Sequence, residues 1–233
     1  MPFFYLKIRI KFAKNTGMKE LNGIKYIERL PVVKTENTPL FVLIHGYGSN
    51  EEDLFSFATD LPENAHVISV RARYDIPYGG FAWYDINFVN NEKWMDEEQA
   101  VESRNKLVEF INEITKQENL DANNVTLMGF SQGAILSYAI ALNYPEKIKN
   151  VAILSGYPEY KIIGEFDQTK DFSNLNFFVS HGTEDVVLPI EMGRLGDEFL
   201  KSLNIKFEYH EYRSGHGIVP QNYYGLMDWI KKF

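Results

Sequence analysis

Asn124-Val-Thr-Leu-Met-Gly-Phe-Ser-Gln-Gly-Ala-Ile-Leu-Ser-Tyr-Ala-Ile-Ala-Leu-Asn143 decides the fold. Asn124 to Phe130 is short and apolar-rich, which predicts a strand. Gln132 to Asn143 predicts a helix that stops before Pro145. Between them Gly129-Phe-Ser-Gln-Gly133 matches G-x-S-x-G. That pattern sets a serine on a sharp strand-to-helix turn, with glycines where side chains would collide. The turn lifts the Ser131 hydroxyl above the sheet, and the helix behind it aims N–H groups at the same place. Glycine-rich turns also arise by chance, so the pattern gains its weight from the strand before it and the helix after it.

The same alternation extends outward in both directions. Ile24 to Val33 predicts a strand ended near Pro31. Leu40 to His45 predicts a fully buried strand between Pro39 and Gly46. Ser49 or Asn50 followed by Glu51, Glu52 and Asp53 predicts a helix start. A strand follows over Val67 to Arg71. Residues 74 to 92 have no period and many aromatics, which predicts a long loop. Helical spacing of Ala100, Leu107, Val108, Ile111 and Ile114 predicts a helix over Asp96 to Glu118. Further strands are predicted at Asn150 to Leu154, Phe177 to His181 and Ile205 to Tyr212. Further helices are predicted at Ile190 to Leu203 and Pro220 to Lys232, with an irregular stretch from residue 155 to Leu175. The fold class is therefore α/β, a mostly parallel central sheet with helices on both faces. Such sheets place ligands at the carboxyl ends of their strands.

Composition removes several function classes. The chain has 233 residues, 45% hydrophobic and 24% charged, an ordinary globular mixture. Its formal charge of −8 repels phosphate backbones, so no nucleic-acid partner is expected. The sequence has no cysteine, which excludes disulfides, thiolate zinc sites and a cysteine nucleophile and fits a cytoplasmic location. Apolar runs stop at about five residues where a spanning helix needs ~20, so no membrane span is expected. At the N-terminus, Lys7, Arg9 and Lys11 interrupt the apolar residues, unlike a signal peptide. Residues 1–17 read as an extension: either an edge strand or sequence upstream of a natural start at Met18. Residues 18–233 read as a single domain.

A serine hydroxyl is a weak nucleophile and needs a base, for which histidine is suited. His66 and His210 sit in or beside strand patterns. His45 and His181 precede glycines at strand ends, where they suit hydrogen bonds to the loops that follow. His216 lies in Ser214-Gly-His-Gly217, after the last strand and before the last helix, and is the candidate base. The base needs a carboxylate to hold its tautomer. Asp185 follows a strand in His181-Gly-Thr-Glu-Asp-Val-Val-Leu-Pro189. It is preferred to Glu184 because the apolar run after it would bury its side of the loop. An oxyanion would need two backbone donors. Gln132 N–H, after the serine, is one, and Tyr47 N–H in His45-Gly-Tyr-Gly48 is the other. Only the main chain of these two residues is implicated.

The aromatic stretch from Tyr74 to Phe88 would be costly on an exposed loop. It is expected to wall a pocket for an acyl or alkyl chain through Tyr78, Phe81, Trp83 and Tyr84, with Leu188 from the acid loop. The alternative is a satellite core under a long loop.

Leu43-Ile-His-Gly-Tyr-Gly48, Gly129-Phe-Ser-Gln-Gly-Ala134, Gly182-Thr-Glu-Asp-Val-Val-Leu-Pro189 and Gly215-His-Gly217 together resemble the phospholipase/carboxylesterase family of α/β-hydrolases. The family includes small bacterial carboxylesterases and acyl-protein thioesterases. The order Ser131, Asp185, His216 is the one such folds use. The resemblance covers about four fifths of the chain, from Pro39 on. It implies an α/β-hydrolase fold without a large cap domain, and serine esterase activity on short or medium acyl esters without metal or cofactor. Ala134 and Ser49 depart from the thioesterase branch, and the loop Pro77 to Asp85 looks more like the bacterial carboxylesterase branch. A thioesterase or lysophospholipase is the near alternative, and a non-catalytic ligand-binding protein of this fold the distant one. The expected partner is a small-molecule ester, with monomer and homodimer both open.

Overall fold

In the computed structural model, residues 16–77, 79–89 and 92–233 are described. Strands β1 (Thr16–Leu21), β2 (Ile24–Arg29), β3 (Leu40–Ile44) and β4 (His66–Val70) form the N-terminal half of one sheet. Helix α1 (Glu52–Phe55) lies between β3 and β4. The N-cap position falls on Glu51, whose side chain makes no cap bond; Asn50 Oδ1 just before it accepts the Glu52 N–H at 2.8 Å, and the Ser49 hydroxyl donates to Asp53 Oδ2. The hairpin β1–β2 turns at Asn22-Gly23, with φ of 51° and 78°, as a two-residue turn of that composition does.

The described residues between 74 and 95 are not a plain loop. They hold two small hairpins, β5 (Tyr74–Asp75) with β6 (Phe81–Ala82), and β7 (Ile86–Val89) with β8 (Glu92–Met95). Strands of two to four residues are too short to show a period, so nothing in the local pattern betrays them.

The chain continues through α2 (Glu97–Gln117), β9 (Val125–Phe130), α3 (Gln132–Asn143) and β10 (Ile148–Leu154). It ends with α4 (Tyr160–Ile163), β11 (Asn176–Gly182), α5 (Ile190–Ser202), β12 (Lys206–Tyr212) and α6 (Pro220–Ile230). Asp96 caps α2 by accepting the Gln99 N–H at 2.9 Å. The single turn α4 interrupts the stretch expected to be irregular throughout.

The eight-stranded sheet has the order β1-β2-β4-β3-β9-β10-β11-β12. β2 runs antiparallel to both neighbours, and β4, β3, β9, β10, β11 and β12 are mutually parallel. Side chains alternate across β3: Leu40, Val42 and Ile44 join the core beneath α2 and α3, while Phe41 and Leu43 join the core beneath α1 and α6. Both faces are thus covered, as a continuous apolar strand requires. Thr16 and Gly17 belong to β1, and residues 1–15 lie outside the described residues.

Glu28 is buried in β2 between His66 Nε2, at 3.0 Å, and Lys19 Nζ. His66 is therefore a core residue with a specific partner. Burial opposes ionisation of Glu28, but the hydrogen bonds from His66 and Lys19 and the adjacent positive charge outweigh it and lower its pKa from 4.5 to about 2. A depressed folded-state value means stability present above pH 4.5 and lost as pH falls toward 2. Urea unfolding of wild type and Glu28→Gln at neutral pH and near pH 3 should show a gap in midpoint that narrows in acid. A gap independent of pH would contradict this.

Candidate active site

Ser131 stands between β9 and α3 with φ 53° and ψ −116°, a strained conformation for a residue with a side chain. Its N–H donates to Leu154 O at 3.0 Å, tying the turn to β10. Gly133 is obligatory here. A Cβ on it would lie 1.9 Å from Ile44 O, so α3 could not seat against β3.

Asp185 follows β11 and is buried. Its Oδ1 accepts the N–H groups of Val187 and Leu188, both at 2.9 Å, and its Oδ2 lies 2.7 Å from His216 Nδ1. Burial alone would push this carboxyl up. The Leu188 N–H, His216 and the Val187 N–H more than compensate, and hold it below its ordinary value. A carboxylate can only accept, so His216 Nδ1 donates and Nε2 is left as an acceptor. Nε2 is 3.0 Å from Ser131 Oγ. Glu184 points elsewhere: it is exposed and its Oε1 accepts from Arg213 Nε at 2.8 Å.

His45 is fully buried under the loop after β3. Ala72 N–H donates to its Nε2 at 3.0 Å, so Nδ1 carries the proton and donates to Gly46 O at 2.7 Å. Burial pushes this imidazole below its ordinary pKa, in keeping with a neutral ring. His181, at the end of β11, hydrogen-bonds Leu188 O through Nε2 at 2.7 Å. Both histidines thus bind the loops that follow them. Gly46 packs directly on the serine, where a Cβ would be 3.1 Å from Ser131 Cβ.

A cavity of about 870 Å³ opens over Ser131 and His216. Tyr47, Tyr84 and Leu188 line it, as do Ile86, Met95, Phe130, Ile135, Tyr157 and Met192. Glu97, Glu159 and Lys161 add charge to the wall, with Lys161 Nζ 2.5 Å from Glu97 Oε1. Of the expected pocket wall, Tyr78 lies outside the described residues. Phe81 and Trp83 are corrections. Trp83 is fully buried and its indole N–H donates to His45 O at 2.9 Å, so it supports the loop from beneath. Phe81 pairs with Ser49 across an isolated bridge and lies under the Arg71 guanidinium, away from the cavity. Both pack into the main core beneath α2 and α3, not into a satellite cluster under the loop. Ile86 and Met95, opposite each other in the β7–β8 hairpin, take their place. Tyr157, Glu159 and Lys161 went unpredicted, although their position after the carboxyl end of β10 was the available signal.

Gln132 is a further correction, because its side chain matters. Oε1 accepts the Trp83 N–H at 3.0 Å and Nε2 donates to Tyr84 O at 2.8 Å, both in buried surroundings. Gln132→Ala would strand these two backbone groups, at ~1–3 kcal/mol each. Chemical denaturation should show a loss on the order of 2–6 kcal/mol. A variant as stable as wild type would contradict the bridging role.

A serine on a strained strand-to-helix turn, above a mostly parallel sheet covered on both faces, defines an α/β-hydrolase fold. A family model described as Phospholipase/Carboxylesterase matches residues 29–233. The chain belongs to that family, and with it to the hydrolases of esters. It is 26% identical to acyl-protein thioesterase 1 of Emericella nidulans over 82% of this chain and 88% of that one. It is 31% identical to carboxylesterase SOBER1 of Arabidopsis thaliana over 49% of this chain and 51% of that one. Among solved structures, a carboxylesterase from Mesorhizobium loti superposes with a TM-score of 0.78 at 19% identity, covering 94% of this chain and 99% of that one. Among the described residues, no helix is long and apolar enough to cross a membrane.

Proposed function

We propose that the protein is a serine carboxylesterase acting on short to medium acyl esters. The observation that carries this reading is the hydrogen-bonded line Asp185–His216–Ser131, at 2.7 and 3.0 Å, at the floor of the mainly apolar cavity. His216 Nε2 takes the Ser131 proton as Oγ attacks the ester carbonyl. Asp185 stabilises the imidazolium. His216 then protonates the departing alkoxide, and water attacks the acyl-enzyme by the same route to release the acid.

The oxyanion donors in this reading are the N–H groups of Tyr47 and Gln132. Neither donates to a backbone carbonyl among the described residues. In a trans peptide the C=O and N–H point in opposite directions. The His45 Nδ1–H holds the Gly46 carbonyl on its own side, which turns the Tyr47 N–H away from it. Gln132 is the first residue of α3, so its N–H has no partner within the helix and adds the positive end of the helix dipole. Tyr84 and Leu188 wall the acyl chain, joined by Ile86 and Met95. The reading includes a cytoplasmic location, on the absence of cysteine from the sequence.

A chain-length series of p-nitrophenyl esters tests the proposal. Wild type should turn over with an optimum among short to medium chains. Folded protein that hydrolyses no chain length would remove the reading. The thioesterase reading has the Emericella relative in its favour. Matched ester and thioester substrates of one acyl chain separate the two by their kcat/KM ratio.

A further inference from the structure

We propose that His181 is a positioning residue that fixes the Asp185 carboxylate toward His216. The proposal deepens the serine-esterase reading and rests on it. His181 is the penultimate residue of β11, four residues before Asp185, and its ring is fully buried. Nε2 lies 2.7 Å from Leu188 O and 3.4 Å from Asp185 Oδ2. A carbonyl oxygen can only accept, so Nε2 carries the ring proton and Nδ1 is bare. Nδ1 has no hydrogen-bond partner among the described residues.

One small circuit follows. Leu188 N–H donates to Asp185 Oδ1, and Leu188 O accepts from His181. Leu188 is thereby held through both its amide and its carbonyl, and the carboxylate cannot rotate without breaking one end. Oδ2 is left between two imidazoles, hydrogen-bonded by His216 at 2.7 Å and flanked by the His181 N–H dipole at 3.4 Å. The second contact is too long for a good hydrogen bond, so the hold of His181 on the carboxylate runs through Leu188. Leu188 and Pro189 also line the cavity, so the same circuit ties the acid to the substrate wall.

The helix above the ring is shaped to admit it. Gly193 of α5 faces the imidazole, and a Cβ there would be 2.5 Å from Nδ1 and 2.6 Å from Cγ of His181. The imidazole is rigid, so it could not yield to that atom. Glycine inside a helix is unfavourable, and its place over this ring is where the close approach requires it. The other charged neighbours are Glu211, opposite His181 on β12, with Arg194 of α5, and the Glu184–Arg213 pair at the outer side of the loop.

The test compares wild type, His181→Asn, His181→Leu and His181→Gln by steady-state kinetics across pH, with Ser131→Ala as the control. A misplaced acid lowers kcat/KM by up to ~100-fold, chiefly through kcat. With its carboxylate turned away, His216 loses its stabilised imidazolium, so the acid limb of kcat/KM should move to lower pH in Asn and Leu. Gln can return an N–H donor to the Nε2 position and should recover most of the rate. A limb that stays in place or moves upward while stability falls would make His181 structural and overturn the proposal. Equal losses in Gln and Asn would overturn it as well. Should Leu fail to fold, Asn and Gln still decide. An inactive wild type, or an active Ser131→Ala, would instead overturn the esterase reading beneath it.

Discussion

Ser131→Ala is expected to lower kcat for ester hydrolysis by about a million-fold, the scale of a nucleophile knockout in a serine hydrolase. The residual rate, ~10³–10⁴ above water, would come from oxyanion binding and substrate orientation. The loss should be chemical and not conformational. Ser131 is held at φ 53° by its N–H bond to Leu154 O and by the seating of α3, neither of which uses the hydroxyl. Alanine suffers the same backbone strain as serine, so the thermal midpoint should move little. Glycine would relieve that strain, on the order of 1 kcal/mol, while removing the nucleophile just as completely. Ser131→Gly should therefore be more stable and equally inactive. Burst and steady-state kinetics on a p-nitrophenyl ester, beside a melting curve, measure both. Turnover near wild type in either variant would take Ser131 out of the mechanism.

Asp185→Asn should cost about 10⁴ in kcat. The new Oδ1 can still accept from Val187 and Leu188 N–H, so the loop should keep its shape. The amide nitrogen then faces His216 Nδ1 where Oδ2 had been. Two donors cannot share that contact, so Nδ1 becomes the acceptor and the proton moves to Nε2. Nε2–H facing Ser131 Oγ cannot take its proton. Glu184→Gln changes only an exposed pair with Arg213, and exposed pairs are worth ~0–1 kcal/mol, so activity should stay within a few-fold. The opposite ranking of these two variants would transfer the role of the acid.

Much of the fold was legible because burial imprints itself on local sequence. A parallel strand buried on both faces reads as an unbroken apolar run, as Leu40 to Ile44 does. The helices with a polar face or a stop signal, α2 and α3, could be bounded within a residue or two. Asn22-Gly23 was an unused signal for the first hairpin. The hairpins between residues 74 and 95 left no trace, because two-to-four-residue pairs have no period to read.

The candidate site was legible to the same depth. Ser131, Asp185 and His216 could each be placed at a strand end from glycines and chain order, and folding brings them within hydrogen-bonding distance. The choice of Asp185 over Glu184 followed from the apolar residues after it, and the two carboxylates do occupy buried and exposed positions. The aromatic residues were a different matter. Phe81, Trp83 and Tyr84 are chemically alike and adjacent, so composition could not separate the one that lines the cavity from the two that prop the loop.

The sequence by itself determined most strands of the main sheet, which serine sits on the elbow, and the order of the three polar residues along the chain. These follow from periodicity, turn chemistry and the positions of glycine, all of which act over a few residues. Tertiary structure decided the rest. It turned Trp83 inward to His45 O, set the Gln132 amide across Trp83 and Tyr84, and pressed Gly193 onto the His181 ring. Each of these contacts joins residues far apart in sequence or on different elements. A hydrogen bond or a steric fit at 3 Å depends on how the elements pack, and no local pattern carries that information.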